Sequence, residues 1–199
     1  MSKEYTDKIN KSVEHLKMKL NVGCFGDYRK GWVNLDVNLF SVADVYHDLN
    51  VYPYPFEDNI FDYICAWQVM EHLNEFYKPL EELWRISKDK AIISIMVPYW
   101  HSYTSFMPEH KIFFNTETFQ HFSNKDTYHE HHGIHADFNV KSIRLITAES
   151  TNHKVFNWLS KKVFEPLCNI NLLFSEMFLS KIFPINLIVY ELEVIKLLK

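Results

Sequence analysis

Residues Leu20 to Asp36 read LNVGCFGDYRKGWVNLD. A β-rich run, Met18 to Val22, enters a turn holding Gly23, Gly26 and Gly31, and a second, Trp32 to Asp36, leaves it and ends on a carboxylate. The chain has only 4 glycines, so three within nine residues are a local demand on the backbone and not a compositional habit. Glycine lets main-chain N–H groups approach a ligand closely, and an acid at the end of the next strand can accept from both hydroxyls of a ribose. The string suits a nucleoside-containing cofactor. It also suits a bare glycine turn beside a surface aspartate, and these residues alone leave both open. A dinucleotide site is a poorer match, since it needs GxGxxG opening a full helix and an acid roughly 20 positions on.

Outward from this stretch, further short β-rich runs cover Val42 to His47 and Ile60 to Ala66, bounded by Asn, Asp and Pro. Val69 to Ile86 reads as one helix, with Val69, Leu73, Phe76, Leu80, Leu83 and Trp84 on one face. Ala91 to Pro98, AIISIMVP, is apolar on both faces, as a central parallel strand covered by helices should be. A charged helix from Lys3 to His15, a strand at Val140 to Thr147, an apolar helical region from about Lys154 to Phe183 and a last strand at Asn186 to Ile195 complete an α/β pattern. The apolar residues Phe156, Leu159, Val163, Phe164, Leu167, Leu172, Leu173, Phe174, Met177 and Phe178 are expected to pack on the sheet.

The 199 residues, 47% hydrophobic and 23% charged, suit a single domain spanning 1–199, with 1–17 as an N-terminal helix and 98–139 as an inserted loop region. Cys24, Cys65 and Cys168 are scattered and odd in number, which points to a reducing, cytoplasmic compartment. The N-terminus lacks the apolar core of a signal peptide, and the apolar tract Ile170 to Leu198 is interrupted by Glu176, Lys181, Pro184 and Glu191, so no transmembrane segment is expected. A net charge of -4 argues against a nucleic-acid partner.

The strings Leu20 to Asp36, His47 to Leu49 (HDL), Pro55 to Ile64 (PFEDNIFDYI) and Gln68 to Leu73 (QVMEHL) resemble, in order and spacing, the successive motifs of class I S-adenosylmethionine-dependent methyltransferases, especially the type 11 branch. Glu82 to Pro98 continues the likeness. The resemblance implies a Rossmann-like, mostly parallel seven-stranded sheet in the order 3-2-1-4-5-7-6, with an antiparallel last strand and an inserted loop after strand 5. It also implies S-adenosyl-L-methionine as cofactor. Gly23, Cys24 and Gly26 would present backbone to its methionine part, Asp36 would bind the ribose diol, Asp48 the adenine amine, and Leu49 would pack on the ring. Trp67 and Gln68 would line the site, though a buried core aromatic also accounts for Trp67. Phe25 stands where the family carries glycine, the helix after the first motif is nearly missing, and Ser87 to Lys90 replaces a Pro-Gly-Gly turn.

Methyl transfer to a hydroxyl or an ammonium requires a base, for which histidine is suited. His72, His101 and His110 are the candidates, with Glu109 a weaker one. His110 is singled out because Pro98 closes the central strand and the following loop should cover the acceptor. The expected acceptor is a small molecule or a saccharide, methylated on oxygen. A lipid acceptor and a non-catalytic binding module are the alternatives, and the apolar C-terminal region leaves peripheral membrane contact or a homodimer open. Tyr128 to Phe138, YHEHHGIHADF, offers His131 and His135 at chelating spacing, but Gly133 disfavours a helix there and the pattern is no established zinc motif, so no metal is expected.

Overall fold

The computed structural model describes residues 18–123, 134–147 and 153–196. The N-terminal helix and the segment containing His131 lie outside these residues. Seven strands form one sheet: β1 (Lys19–Val22), β2 (Val33–Asp36), β3 (Val45–Tyr46), β4 (Phe61–Trp67), β5 (Ser87–Pro98), β6 (Phe138–Thr147) and β7 (Ile185–Val194). Their order is β3-β2-β1-β4-β5-β7-β6. Pairings among β1 to β5 are parallel, and β7 runs antiparallel to both its neighbours, β5 and β6. This is the Rossmann-like class I methyltransferase fold that the resemblance implied.

No helix separates β1 from β2. Two buried asparagines hold the loop instead. Asn21 donates to the Asp27 carbonyl at 2.7 Å and to Asn34 Oδ1 at 3.2 Å, while Asn34 donates to the carbonyls of Arg29 and Trp32 and accepts the Arg29 N–H at 2.8 Å. Where a helix would cover that face of the sheet, the Arg29 guanidinium lies 4.3 Å from the Trp67 ring and 5.0 Å from that of Trp32. Its charge is balanced by Asp27 at 2.7 Å.

The expected helix over Val69 to Ile86 is divided in two. Met70–His72 makes a single 3-10 turn, Leu73 is extended, and helix α1 spans only Tyr77–Ile86. Pro79 is the reason: within a longer helix its ring would collide with the Glu75 carbonyl and it has no N–H to donate, whereas the first turn tolerates it. Ser87 to Lys90, expected as a turn, belongs to β5. The register shifts between Phe61↔Ser87 and Tyr63↔Ile92, and Lys90 takes φ of 62° to absorb the shift.

After β5, Trp100 N–H bonds to the Phe114 carbonyl at 2.8 Å, and Phe114, Phe119 and Phe122 join Phe76 and Tyr190 in the main core. The inserted region is thus partly core. A 3-10 turn (Tyr103–Phe106) and a helical turn, α2 (Gln120–Ser123), lie among its described residues.

The apolar C-terminal region corrects the sequence reading. It breaks into α3 (Lys154–Leu159), a π turn (Ser160–Phe164), α4 (Glu165–Ile170), α5 (Leu172–Met177) and a 3-10 turn (Leu179–Lys181). Small residues make the buried contacts: Ser160 shares a hydrogen bond with Thr147, and Ser175 donates to the Cys168 carbonyl at 2.7 Å. Many of the large apolar side chains expected on the sheet, Val163, Leu167, Leu173, Phe174, Met177 and Phe178, are exposed instead. Close approach over small residues leaves the bulky ones to point outward.

Candidate active site

The C-terminal ends of β1, β2 and β4 converge on the glycine turn. Gly23 takes φ of +65°, and a Cβ there would lie 2.3 Å from Val69 Cγ2. Glycine at this position therefore serves two needs, the left-handed backbone and the closeness of the turn that follows β4. Gly26 also takes positive φ, +68°, but nothing lies within 4 Å of where its Cβ would be. The Cys24 main chain is committed within the fold, its N–H to the Leu35 carbonyl at 3.1 Å and its carbonyl to the Asp27 N–H at 2.6 Å. Burial and the neighbouring Asp36 push the Cys24 thiol up to about 11, so it remains protonated.

Asp36 closes β2 and is only 5% exposed. One carboxylate oxygen accepts the Phe25 N–H at 2.8 Å and the other the Asn38 N–H at 2.7 Å. A carboxylate offers about four lone-pair sites, so each oxygen retains room for one more donor, as a ribose diol requires. The His47 N–H bonds to the Asp36 carbonyl at 3.0 Å, which ties the ends of β2 and β3 together and brings Asp48 alongside. Asp48 is exposed, Leu49 beneath it is buried, and Val37 next to Asp36 is exposed. Two carboxylates beside apolar surface are groups that could hold an adenosine, and this arrangement fits such a cofactor.

Trp67 does not join this group. Its ring is buried on the opposite face of β4 with Trp32, Tyr63, Cys65 and Met96, and its Nε1–H donates to Ser94 Oγ at 3.2 Å. Side chains alternate along a strand, and that parity sets Trp67 against Arg29. Gln68, the next residue, is exposed at the strand end and takes φ of 57°, with its N–H on the Met96 carbonyl at 2.7 Å. A left-handed glutamine is a costly conformation, held here by that bond.

The kink at Gln68 swings the Met70–His72 turn toward the loop after β5. The Lys111 N–H bonds to the Glu71 carbonyl at 2.7 Å, and Lys111 Nζ reaches Asn74 Oδ1 at 2.7 Å. His110 is thereby set beside His72, with ring centroids 4.7 Å apart. Glu71 is 1% exposed, and neither carboxylate oxygen has a hydrogen-bond partner. His110 Nδ1 is buried and equally unpartnered. Ligating atoms of Glu71, His72 and His110 all lie within 4.8 Å of one another. Burial pushes the Glu71 carboxyl up to about 7, and burial with the neighbouring His110 holds His72 below its ordinary value, against the opposing pull of the Glu109 main chain. His72 is thus neutral at pH 7 and able to accept a proton.

Of the three candidate histidines, His72 and His110 meet and His101 does not join them. His101 is exposed, and its Nδ1 faces the Ser180 carbonyl at 3.1 Å. Glu71 carries the feature hardest to see in sequence. The string QVMEHL contains it, but only the turn geometry buries it. Glu176 was also unanticipated: it accepts from Trp100 Nε1 at 2.6 Å and from Thr116 Oγ1 at 2.9 Å, clamping the inserted loop to α5.

Residues 32–95 match the family model described as a methyltransferase domain, of the type 11 group. No curated protein matches the sequence. Among solved structures, the chain is similar to an S-adenosylmethionine-dependent methyltransferase from Archaeoglobus fulgidus, with 17% identity, 96% of this chain and 94% of that chain covered, and a TM-score of 0.59. It is similar to the YcgJ protein of Bacillus subtilis at 12% identity, 98% and 100% coverage and a TM-score of 0.59. The [4+2]-cyclase SpnF also shares the fold, at 13% identity, 96% and 82% coverage and a TM-score of 0.55. Likeness at these identities concerns the fold. The family match, over residues 32–95, is to a domain described by methyltransferase activity.

Proposed function

We propose that this chain, a class I S-adenosylmethionine-dependent methyltransferase, methylates a hydroxyl oxygen of a small-molecule or saccharide-like acceptor. When bound, the cofactor supplies a methyl carbon on a positively charged sulfur, to which the acceptor oxygen adds a lone pair in line as the C–S electron pair stays on sulfur. Asp36 accepts from the ribose hydroxyls, Asp48 from the adenine amine, and Leu49 packs beneath the ring. Gly23 and Gly26 keep side chains away from the methionine part, with Gln68 at its edge. Glu71, His72 and His110 receive the acceptor hydroxyl and stabilise the charge that develops on its oxygen as its proton passes to solvent water. Residues 99–123, which follow β5, cover the acceptor from the β5 side.

The observation that carries this reading is the buried, unpartnered Glu71 beside His72 and His110, at the ends of β4 and β5 where the acceptor must approach. A polar set of this kind suits an acceptor that must lose a proton. The test is mass-spectrometric analysis of product from acceptor panels sorted into hydroxyls, amines, carbon acids and lipids. O-methylated product is expected. His110→Ala should lower turnover about 10²- to 10⁴-fold with S-adenosylhomocysteine affinity nearly unchanged. Methylation on nitrogen or carbon, or an undiminished rate in His110→Ala, would overturn the reading.

One observation favours a second reading, a lipid acceptor at a membrane surface. Trp158, Ile170, Leu173, Phe174 and Ile182 expose apolar area on the C-terminal helices, next to the exposed Lys154, Lys161, Lys162 and Lys181. No helix among the described residues is long and apolar enough to cross a membrane. Co-sedimentation with anionic vesicles separates this surface from a homodimer contact, which would appear as a doubled mass in solution. A cytoplasmic location agrees with the three free, buried thiols.

A further inference from the structure

We propose that Glu71, His72 and His110 bind one divalent first-row transition cation, and that the acceptor hydroxyl completes its coordination; the second part rests on the hydroxyl reading above. Four observations carry the site.

A carboxylate buried to 1% exposure with both oxygens unpartnered is rare in a folded protein, because each unpaired oxygen forfeits its hydration with nothing in return. Lys111, the residue after His110, gives its Nζ to Asn74 Oδ1 at 2.7 Å and makes no hydrogen bond to Glu71. His110 Nδ1 is buried without a partner on the same side. A ring nitrogen of His72 lies within 4.8 Å of the ligating atoms of Glu71 and His110, and the two rings stand edge to face with centroids 4.7 Å apart.

Two imidazoles and one carboxylate are a donor set that suits zinc, cobalt, iron or manganese, and they leave one to three positions open. The backbone fixes the set in advance. Glu71 and His72 are adjacent on one 3-10 turn, and the Lys111 N–H on the Glu71 carbonyl holds the His110 loop against it. An ion with bonds of about 2.1 Å brings neighbouring ligand atoms to about 3 Å, so separations that are all within 4.8 Å must close by at most about 1.8 Å on binding. A hydroxyl on the ion loses its proton more readily, and the proton passes to solvent water, so all three side chains stay as ligands.

The test uses the full chain, free of any affinity tag and treated with chelator, titrated with Co²⁺ and followed by ligand-field absorption and by melting temperature. One equivalent should bind at about micromolar affinity, with a raised melting temperature. Glu71→Gln and His110→Ala should weaken binding at least 10- to 100-fold, and His135→Ala should leave it unchanged. Melting of each variant in chelator reports its folding, and His110→Asn replaces His110→Ala if the latter fails to fold. Co²⁺ bound no tighter than millimolar, equal binding by Glu71→Gln, or binding lost in His135→Ala overturns the site. The two readings fail separately. Co²⁺ bound as described together with a nitrogen-methylated product removes the hydroxyl acceptor and keeps the site, whereas hydroxyl methylation by protein that binds no Co²⁺ does the reverse.

Discussion

Gly23→Ala tests the contact on which the site is assembled. Two costs separate in this substitution. Alanine at φ of +65° enters the left-handed region, at about 1–2 kcal/mol. Its Cβ also arrives 2.3 Å from Val69 Cγ2, where van der Waals contact would need well over 3 Å, and an added carbon in a packed core costs about 1–3 kcal/mol. The expected total is about 2–5 kcal/mol in urea unfolding. Gly26→Ala is the internal control: its φ of +68° carries the same backbone cost, but open space around its Cβ removes the second. The two variants should therefore differ by the overpacking cost alone. Val69→Ala removes the carbon that collides, so its effect in the Gly23→Ala background should be smaller than in wild type, as a double-mutant cycle reads directly. Val69 also precedes the turn bearing Glu71 and His72, so Gly23→Ala should disturb the acceptor side as well as the cofactor side. Equal loss in Gly23→Ala and Gly26→Ala, with no coupling to Val69, would refute the reasoning.

Two further expectations concern titration and thiols. Glu82 is partly buried, which alone would raise its carboxyl, but Arg85 at 2.7 Å and the Tyr54 N–H at 2.6 Å outweigh burial and hold it below the ordinary carboxylate value. A depressed native value means that this stabilisation is present above the unfolded carboxylate range and lost as pH falls through the native one. Acid unfolding curves of Glu82→Gln should accordingly be flatter below about pH 4.5 than those of wild type, and parallel curves would remove the network from the account. Burial pushes Cys65 up to about 12 and, with help from Asp36, Cys24 up to about 11, while Cys168 is also raised by burial. Since the thiolate is the reacting form, a disulfide reagent at pH 8 should label native protein far more slowly than urea-unfolded protein, in which all three thiols react; rapid native labelling of even one would contradict the burial described.

Much of the fold can be read in the sequence because its signals are local. Glycines with positive φ, an acid ending β2 and an apolar run at β5 each announce themselves within a few residues, and the sheet order follows from the family resemblance. Pro79 fixes the start of α1, because its clash with the Glu75 carbonyl outweighs the apolar periodicity of Val69 to Trp84. Trp67 shows a different limit. Its parity along β4 relative to Ile64 and Ala66 assigns it to the face opposite α1, but what covers that face depends on Arg29 replacing a helix, a tertiary substitution with no periodic signature. The C-terminal helices invert the usual rule that the apolar stripe faces inward, because Ser160, Cys168 and Ser175 allow the backbone to pack closely.

The acceptor side was the least legible part, and the cause is physical. Glu71 carries no mark of burial in QVMEHL, where it falls off the apolar face of the helix that Val69 to Ile86 suggests, together with Glu75. Its environment is created by a main-chain bond from Lys111, forty positions away, and by the left-handed kink at Gln68. Reactive geometry arises here where two loops meet, each unremarkable alone. A carboxylate and two imidazoles are all present in the sequence, but their union depends on the one contact that no local pattern encodes.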